Sequence, residues 1–186
     1  MSRAQKTRDR LQEEAVRLFA ERGFDSVTVE EVARAAGVSH MTFFRHFPTK
    51  ESVVLDDAYD PLLAKAVARQ DPSLPPLERV RRAILEAWGE LPEPSDHLTR
   101  TRIELAASHP SLRSGVWENN QRTADSIVEA LTVAGVEPLE AKVAAGAVLG
   151  SITVALFDWA EDARTGSLGD RVRAALEILS PETSTA

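Results

Sequence analysis

The sequence predicts an all-α protein: an N-terminal three-helix domain that contains a helix-turn-helix, followed by a C-terminal helical domain, with about nine helices in total. Three observations predict this class. Apolar residues recur at helical spacing through most of the chain. No long segment has the two-residue alternation of a strand. Two short helical patterns flank a Gly-Val-Ser turn at residues 37–39.

The first short helix is predicted to begin at Thr28. Thr28 and Glu31 have the spacing of a capping box, in which each side chain bonds the backbone N–H of the other residue. Gly37 can adopt the positive φ that ends such a helix. Ser39 is a good N-cap for the helix that follows. Together these residues predict helix, turn and helix, the arrangement of a DNA-reading motif.

The second short helix has one apolar face and one mixed face. Phe43 and Phe47 lie four residues apart and are predicted to fill a small core. The remaining positions suit base edges and sugars. Candidates for contact with bases and sugars, or for placing them, are Ser39, His40, Met41, Thr42, Phe44 and Arg45.

Arg45 is the candidate for direct base reading, because a guanidinium can bond O6 and N7 of guanine together. Thr28, His46 and Lys50 are candidates for phosphate contacts, Lys50 because it falls in the first turn of the next helix. Simpler interpretations stay open: Thr28 as a cap alone, His46 as a surface residue and Phe44 as part of the core.

The segment Thr28–Lys50, TVEEVARAAGVSHMTFFRHFPTK, resembles the TetR family of bacterial transcriptional regulators over its whole length. Two positions depart from the family pattern: Met41 stands where glycine is usual, and Phe44 where tyrosine is usual. Losing the tyrosine hydroxyl removes a phosphate hydrogen bond but keeps the ring. The resemblance therefore implies DNA binding without implying which bases are preferred.

The resemblance implies residues 1–50 as the DNA-binding domain and 51–186 as a ligand-binding and dimerisation domain. A homodimer would place two recognition helices in successive major grooves of a near-palindromic operator, about 34–36 Å apart. A small apolar effector would release it, making repression the default output. A looser likeness in residues 102–113 is to a branch that responds to acyl-CoA-like molecules.

Charge is distributed unevenly between these two parts. The whole chain of 186 residues has a net charge of −7. Residues 1–50 hold nine Lys and Arg against seven Asp and Glu, whereas the rest holds thirteen against twenty-two. A slightly basic N-terminal part joined to an acidic C-terminal part is compatible with specific DNA binding. The acidic part discourages unspecific adhesion to DNA.

Several classes of protein and site are not expected. The chain has no cysteine, so disulfides and thiolate metal sites are excluded. The basic start lacks a following apolar run, which predicts a cytoplasmic protein without a secretion signal. No nucleophile setting, glycine-rich phosphate loop or histidine pair is evident, so neither an enzyme nor a cofactor or metal is expected.

The helices after residue 50 are predicted from apolar spacing and from proline and glycine positions. A long helix follows Lys50, with Asp60-Pro61 compatible with a kink. Further helices are predicted from Pro75-Pro76, from about Ser95 to Ser108, from Pro110 to Ala134, from Pro138 to about Arg164 and over Leu168–Leu179.

An effector pocket follows from the family resemblance. Arg102 and Gln121 are its polar candidates, and its apolar candidates are Leu63, Ile84, Trp88, Ile103, Trp117, Ile152 and Phe157. Apolar residues at helical spacing are also what an ordinary core requires.

The uncharged segment Val143–Phe157 is interpreted as a dimer helix, with a fully buried core helix as the alternative. At fifteen residues it is shorter than the ~20 that a membrane span needs, so no membrane partner is expected. Small residues on one face would allow two backbones to approach closely. The predicted interface residues are Gly146, Ala147, Gly150, Ser151, Val154, Val172, Leu176 and Leu179.

Two other functions remain open at this point. One is a small-molecule-binding helical enzyme, which turnover of a ligand without DNA binding would reveal. The other is a non-specific architectural DNA-binding protein, a class that is normally more basic. The sequence does not identify the effector, the operator, the regulated genes or the sign of regulation.

Overall fold

The computed structural model describes residues 2–56, 60–89, 97–161 and 166–180, and in these ranges it contains ten helices and no strand. The predicted all-α class is confirmed, with ten helices where about nine were expected. They are α1 (Arg3–Arg22), α2 (Val29–Ala35), α3 (His40–His46), α4 (Ser52–Leu55), α5 (Asp60–Arg69), α6 (Pro76–Gly89), α7 (His97–Ser108), α8 (Pro110–Val133), α9 (Pro138–Glu161) and α10 (Leu168–Ile178).

Glycine and proline mark several of these boundaries. Gly23 and Gly135 follow α1 and α8 with φ of 86° and 88°, a conformation that glycine adopts without strain. Pro76, Pro110 and Pro138 each occupy the first position of a helix, where the missing N–H has no intrahelical partner to lose.

The single long helix predicted after Lys50 is not present. Helix α4 ends at Leu55, because Asp56 adopts an extended conformation with ψ of 125°. Helix α5 begins at Asp60 with Pro61 in its first turn. Proline is well tolerated in a first turn, so this residue lies near a helix start rather than inducing a kink.

Packing divides the chain into two compact units. The first unit contains Met1–Asp56 and Asp96–Trp117, and the second contains Asp57–Ser95 and Glu118–Ala186. The division predicted at residues 50 and 51 separates two functions, whereas these units are defined by packing. The functional division therefore remains a prediction.

In the first unit, α1 packs against α2, α4 and α7, and α2 packs against α3. Its core is rich in aromatic rings, with Phe19 and Phe24 in edge contact at a centroid distance of 4.9 Å. Gln12 Nε2 donates to the carbonyl of Val53 at 3.0 Å and joins α1 to α4. The ring of His109 lies 4.7 Å from that of Phe24, which ties the start of α8 to this core.

In the second unit, α6 packs against α5, α9 and α10, and α9 also packs against α10. Helix α9 has 24 residues and is long and apolar enough to cross a membrane by length and composition, which the fifteen-residue count did not anticipate. A core helix of a soluble protein passes the same test. Eight residues of α9 are buried, including Val148 and Leu149, so this helix also contributes to the core of its own unit.

Candidate nucleic-acid interface

The turn between α2 and α3 has the geometry that the sequence predicted. Thr28 Oγ1 accepts from the Glu31 N–H at 3.2 Å, and the Glu31 carboxylate accepts from the Thr28 N–H at 2.8 Å. Gly37 has a φ of +63°. Ser39 caps α3 by accepting from the Thr42 N–H at 3.2 Å. The helix-turn-helix is thus fixed by local backbone chemistry at both helix starts and at the turn.

Helix α3 buries one face and presents the other. Phe43 and Phe47 are fully buried, as predicted from their spacing. Met41 is 75% exposed, Phe44 is 39% exposed, and Arg45 is also exposed. Two large apolar side chains beside a cation on a seven-residue helix form a surface suited to thymine methyls, sugars and guanine edges.

The Phe44 ring is held by neighbours on its own helix. It lies edge-on to the His40 ring at 4.7 Å and to the Phe43 ring at 5.4 Å. His40 Nε2 lies 3.4 Å from the Glu30 carboxylate, which links the starts of α2 and α3. Phe44 therefore belongs partly to the core and partly to the exposed face, between the two interpretations that the sequence left open.

A groove of about 680 Å³ lies between the N-terminal turns of α1 and helix α3, and we call it the basic groove. No acidic residue lines it. Its lining residues are Arg3, Ala4, Lys6, Thr7, Arg10, Gly37, Val38, Thr42, Arg45 and His46. The sequence shows that the chain has a basic start but gives no indication that its cations share a groove with α3.

The cations of the basic groove have no protein counter-charge within the described ranges. None of the side chains of Arg3, Lys6, Arg10 and Arg45 makes an ion pair or hydrogen bond there, whereas Arg17, on the next turns of α1, bonds Glu14 and Glu21. Four uncompensated cations around one groove create a positive potential that attracts a polyanion.

Arg8 and His46 support the groove rather than adding charge to it. Arg8 Nη1 donates to the His46 carbonyl at 2.8 Å, and its guanidinium lies 4.2 Å from the centre of the Phe47 ring. The pKa of His46 is lowered, first by burial and then by the charges of Arg45 and Arg8. His46 is accordingly neutral at pH 7, and Arg8 fastens the end of α3 to α1.

Lys50 is directed inward in this structure. Its ammonium donates to the carbonyl of Phe24 and lies 4.2 Å from the centre of the Phe24 ring. Burial lowers the pKa of Lys50. Among the remaining candidates, the exposed Thr28 and the half-buried Thr42 lie at the N-terminal ends of α2 and α3, and the hydroxyls of Ser39 and Thr42 are 2.9 Å apart.

The nine candidates for the effector pocket are not gathered at one described cavity; the basic groove is lined by none of them. Arg102, Ile103 and Trp117 fall in the first unit, and the other six fall in the second. Ile84 is buried, whereas Trp117 is 69% exposed. The amide of Gln121 donates to Asp125 on its own helix at 3.3 Å. Half-buried members are Leu63, Trp88, Arg102, Ile152 and Phe157.

The dimer candidates on α9 and α10 differ in exposure. On α9, Gly146 and Val154 are exposed and Ala147, Gly150 and Ser151 are half-buried. A Cβ added at Gly146 or Gly150 would meet no other heavy atom within 4 Å. On α10, Val172 and Leu176 are buried inside their own unit and Leu179 is half-buried, so the first two have no surface to offer a partner.

Three exposed apolar residues of the second unit were missed as dimer candidates. Leu139 and Val143 continue the α9 stripe of Gly146, Gly150 and Val154 at helical spacing, and Ile178 lies near the end of α10. The missed signal was the apolar stripe itself, which begins about two helical turns before the first small residue, Gly146.

Comparison with known proteins gives two family matches. Residues 11–56 match the family of bacterial regulatory proteins called tetR, and residues 74–184 match the MftR C-terminal domain. The first match contains the whole helix-turn-helix, and the second covers more than half of the chain.

Among curated relatives, the HTH-type transcriptional regulator TcmR of Streptomyces glaucescens is 38% identical over 115 residues, which is 58% of this chain and 50% of TcmR. The HTH-type transcriptional repressor AcnR of Corynebacterium diphtheriae is 30% identical over 127 residues, 65% of this chain and 60% of AcnR. The chain thus spans between half and three-fifths of these relatives.

Among solved structures, NalD, the secondary repressor of the MexAB-OprM multidrug efflux pump in Pseudomonas aeruginosa, has a TM-score of 0.56. It is 22% identical in sequence, and the match covers 94% of each chain. At that identity the likeness establishes the fold.

Proposed function

The chain belongs to the TetR family of bacterial regulatory proteins, and we propose that it is a ligand-responsive transcriptional regulator that binds a near-palindromic operator as a homodimer. Repression is the proposed output, in agreement with the name of the relative AcnR. We place the protein in the cytoplasm, where its operator would be.

The observation that carries this proposal is the basic groove beside the exposed face of α3. In the described ranges its four cations lack protein partners, and Arg45 borders both the groove and the exposed face. Phosphate contacts from α1 would position the protein, and contacts from Met41, Phe44 and Arg45 would read sequence. Lys50 is directed inward, so its proposed phosphate contact requires the ammonium to leave the Phe24 carbonyl.

The homodimer is proposed to form through α9. Leu139, Val143 and Val154 are exposed apolar residues on the helix face that carries Gly146 and Gly150. Open space at both glycines allows a second α9 to approach closely. Ile178, Leu179 and the half-buried Ala147 and Ser151 complete the proposed interface, and Val172 and Leu176 support it from within.

The functional division is proposed at residues 50 and 51, close to the end of the first family match at residue 56. Residues 1–50 would then contain the DNA-reading helices, and residues 51–186 would bind the effector and the partner subunit. A small apolar effector would favour a state that is wrongly spaced for DNA. Release by a hundredfold requires about 2.7 kcal/mol of coupling between the two sites.

The other functions considered at the start have less support. The relatives reported above are named as transcriptional regulators, which favours regulation over an enzyme. In the described part of the chain no group of three or more His, Asp or Glu residues could hold a metal ion. Net charge of −7 argues against an architectural protein that coats DNA unspecifically.

The test is selection of duplexes from a random library, followed by fluorescence anisotropy at fixed salt. We expect an inverted repeat to be enriched and to bind at least about a thousandfold more tightly than its scrambled version. Turnover of a small molecule without any such preference would favour the enzyme. Equal binding of selected and scrambled duplex would favour the architectural protein.

A further inference from the structure

The second unit contains a buried cation that the proposed function does not use. Arg79, in the first turn of α6, is only 2% exposed and is the largest fully buried side chain described. Its Nε has no hydrogen-bond partner, and within the described ranges its guanidinium joins no ion pair. An arginine remains charged in this setting, and a buried charge is strongly unfavourable without a counter-charge.

Two acidic residues are candidates for a counter-charge to Arg79: Glu78, the preceding residue in the chain, and Asp71, on which the charge of Arg79 acts. Both carboxylates already bond other groups. Glu78 bonds the guanidinium groups of Arg81, at 2.7 Å, and Arg82. The hydrogen bond from Arg81 is the main reason why the pKa of Glu78 falls to about 2, against the opposing effect of burial. Asp71 is exposed and accepts from the Ser73 N–H at 2.9 Å, and the charge of Arg79 acts on it only from a distance.

Apart from Glu78 and Arg79, the buried residues of α6 are apolar. Val80, Ala83 and Ile84 are buried on the same helix, and the helix packs against α5, α9 and α10, which bury Val67, Val148 and Leu176. A ligand that neutralised Arg79 would therefore need one compact anionic group and an apolar body. The planar fork of a guanidinium matches carboxylate and phosphate oxygens in pairs.

We propose that Arg79 is the anchoring residue of the effector site, and that the effector is an amphiphile with one carboxylate or phosphate group. This inference rests on the proposed ligand-responsive function and narrows its effector from apolar to apolar and anionic. Arg79 replaces Arg102 and Gln121 as the polar anchor, because both of those are less buried.

The probes are straight-chain alkyl compounds of eight to fourteen carbons, each as the carboxylate, the phosphate and the alcohol, below their critical micelle concentrations. Binding is measured by thermal shift and by tryptophan fluorescence at fixed ionic strength. In the wild type we expect at least one anionic series to bind about tenfold or more tightly than its alcohols. Comparing carboxylates with phosphates identifies the preferred headgroup.

Arg79→Met should abolish that preference and leave the alcohols unaffected, while the unliganded Tm stays equal or rises, since an uncompensated buried charge is removed. Arg79→Lys should retain part of the preference. The matched control is Arg82→Met, on the same helix and half exposed, which should keep the full preference. Equal binding of anions and alcohols by the wild type, or a preference that survives in Arg79→Met, overturns the inference.

Operator binding is measured in parallel on the same samples. A wild type that binds its operator but shows no preference for anions over alcohols refutes the role of Arg79 alone. An anion preference in a protein that ignores inverted repeats would refute the proposed regulation and leave the anion site standing.

Discussion

Arg45 is the residue on which we expect the proposed DNA reading to depend most, because it combines exposure, the position on α3 and a guanidinium without a protein partner in the described ranges. We expect Arg45→Ala to cost about 1–3 kcal/mol at the selected operator and to relax the preference at one base position. Anisotropy titrations against all single-base operator variants measure both effects. Equal losses on operator and random duplex would instead make Arg45 a phosphate contact.

Lys6 should behave differently, since it lines the basic groove on α1, away from the exposed face of α3. Lys6→Ala should weaken binding to every duplex alike and lower the slope of log K against log salt by about 1. Arg17→Ala serves as the control for both variants, because Arg17 is engaged with Glu14 and Glu21. A change in base preference on losing Lys6 would contradict its assignment.

The lowered pKa of Glu78 makes the stability of the folded protein depend on pH in the acidic range. Its pKa is about 2 in the folded protein, below the ordinary value of 4.5, so the unfolded chain takes up the proton first. The stabilisation is complete above pH 4.5 and is lost as pH falls toward 2, at most about 3 kcal/mol. Urea unfolding at pH 7 and pH 3 should show a smaller pH effect in Glu78→Gln, and an identical one would contradict this assignment.

Local residue chemistry was predictable from sequence where it involves neighbours in the chain. The cap pair Thr28 and Glu31, the turn at Gly37 and the buried pair of Phe43 and Phe47 depend on spacings of three or four residues. The burial of Arg79 and the inward direction of the Lys50 side chain depend on tertiary packing. In the run Glu-Arg-Val-Arg-Arg at 78–82, spacing alone does not decide which arginine is buried.

At the scale of the elements, the turn between α2 and α3 relies on the left-handed conformation of Gly37. Gly37→Ala should destabilise the protein by about 1–2 kcal/mol, because a Cβ is strained at this φ. Gly89→Ala is the control, at a helix end with no atom within 4 Å of the added carbon. Thermal unfolding of both variants measures the change in stability. An unchanged Tm for Gly37→Ala would contradict the role of Gly37 in the turn.

Helix boundaries were predictable wherever Gly, Pro or a capping residue marks them, as at Gly135, Pro138 and Ser167. The break between α4 and α5 was not, because apolar spacing continues through it and the extended Asp56 carries no strong breaking signal. The grouping of α7 with the first unit was also beyond prediction, since it depends on the packing of α7 against α1 and α4, which are distant from it in the chain.

At the scale of the whole molecule, the proposed DNA reading and the proposed dimerisation use surfaces on α3 and α9, about a hundred residues apart in the chain. Gly150→Leu should leave the protomer folded, because no atom lies within 4 Å of the added Cβ and leucine favours a helix over glycine. The added leucine side chain should prevent the α9 helix of a second protomer from approaching closely. Sedimentation velocity is expected to show a dimer for the wild type and for Gly89→Leu, and a monomer for Gly150→Leu. A dimeric Gly150→Leu would move the interface elsewhere.

The uneven distribution of charge was predictable by counting the charged residues of residues 1–50 and of the rest of the chain. The basic groove contains four of the cations of residues 1–50. The effector site was not predictable, because the apolar residues that would line it have the same spacing as a plain core.

The most direct test of the central claim uses the selected inverted repeat and a version with five base pairs inserted between its half-sites, which turns one half-site to the opposite face of the duplex. Anisotropy and sedimentation of the two complexes should show two protomers on the original repeat and an affinity at least about tenfold lower on the spaced one. Equal affinity for both duplexes, or saturation of the repeat by a single protomer, would contradict the paired reading of DNA by two copies of α3.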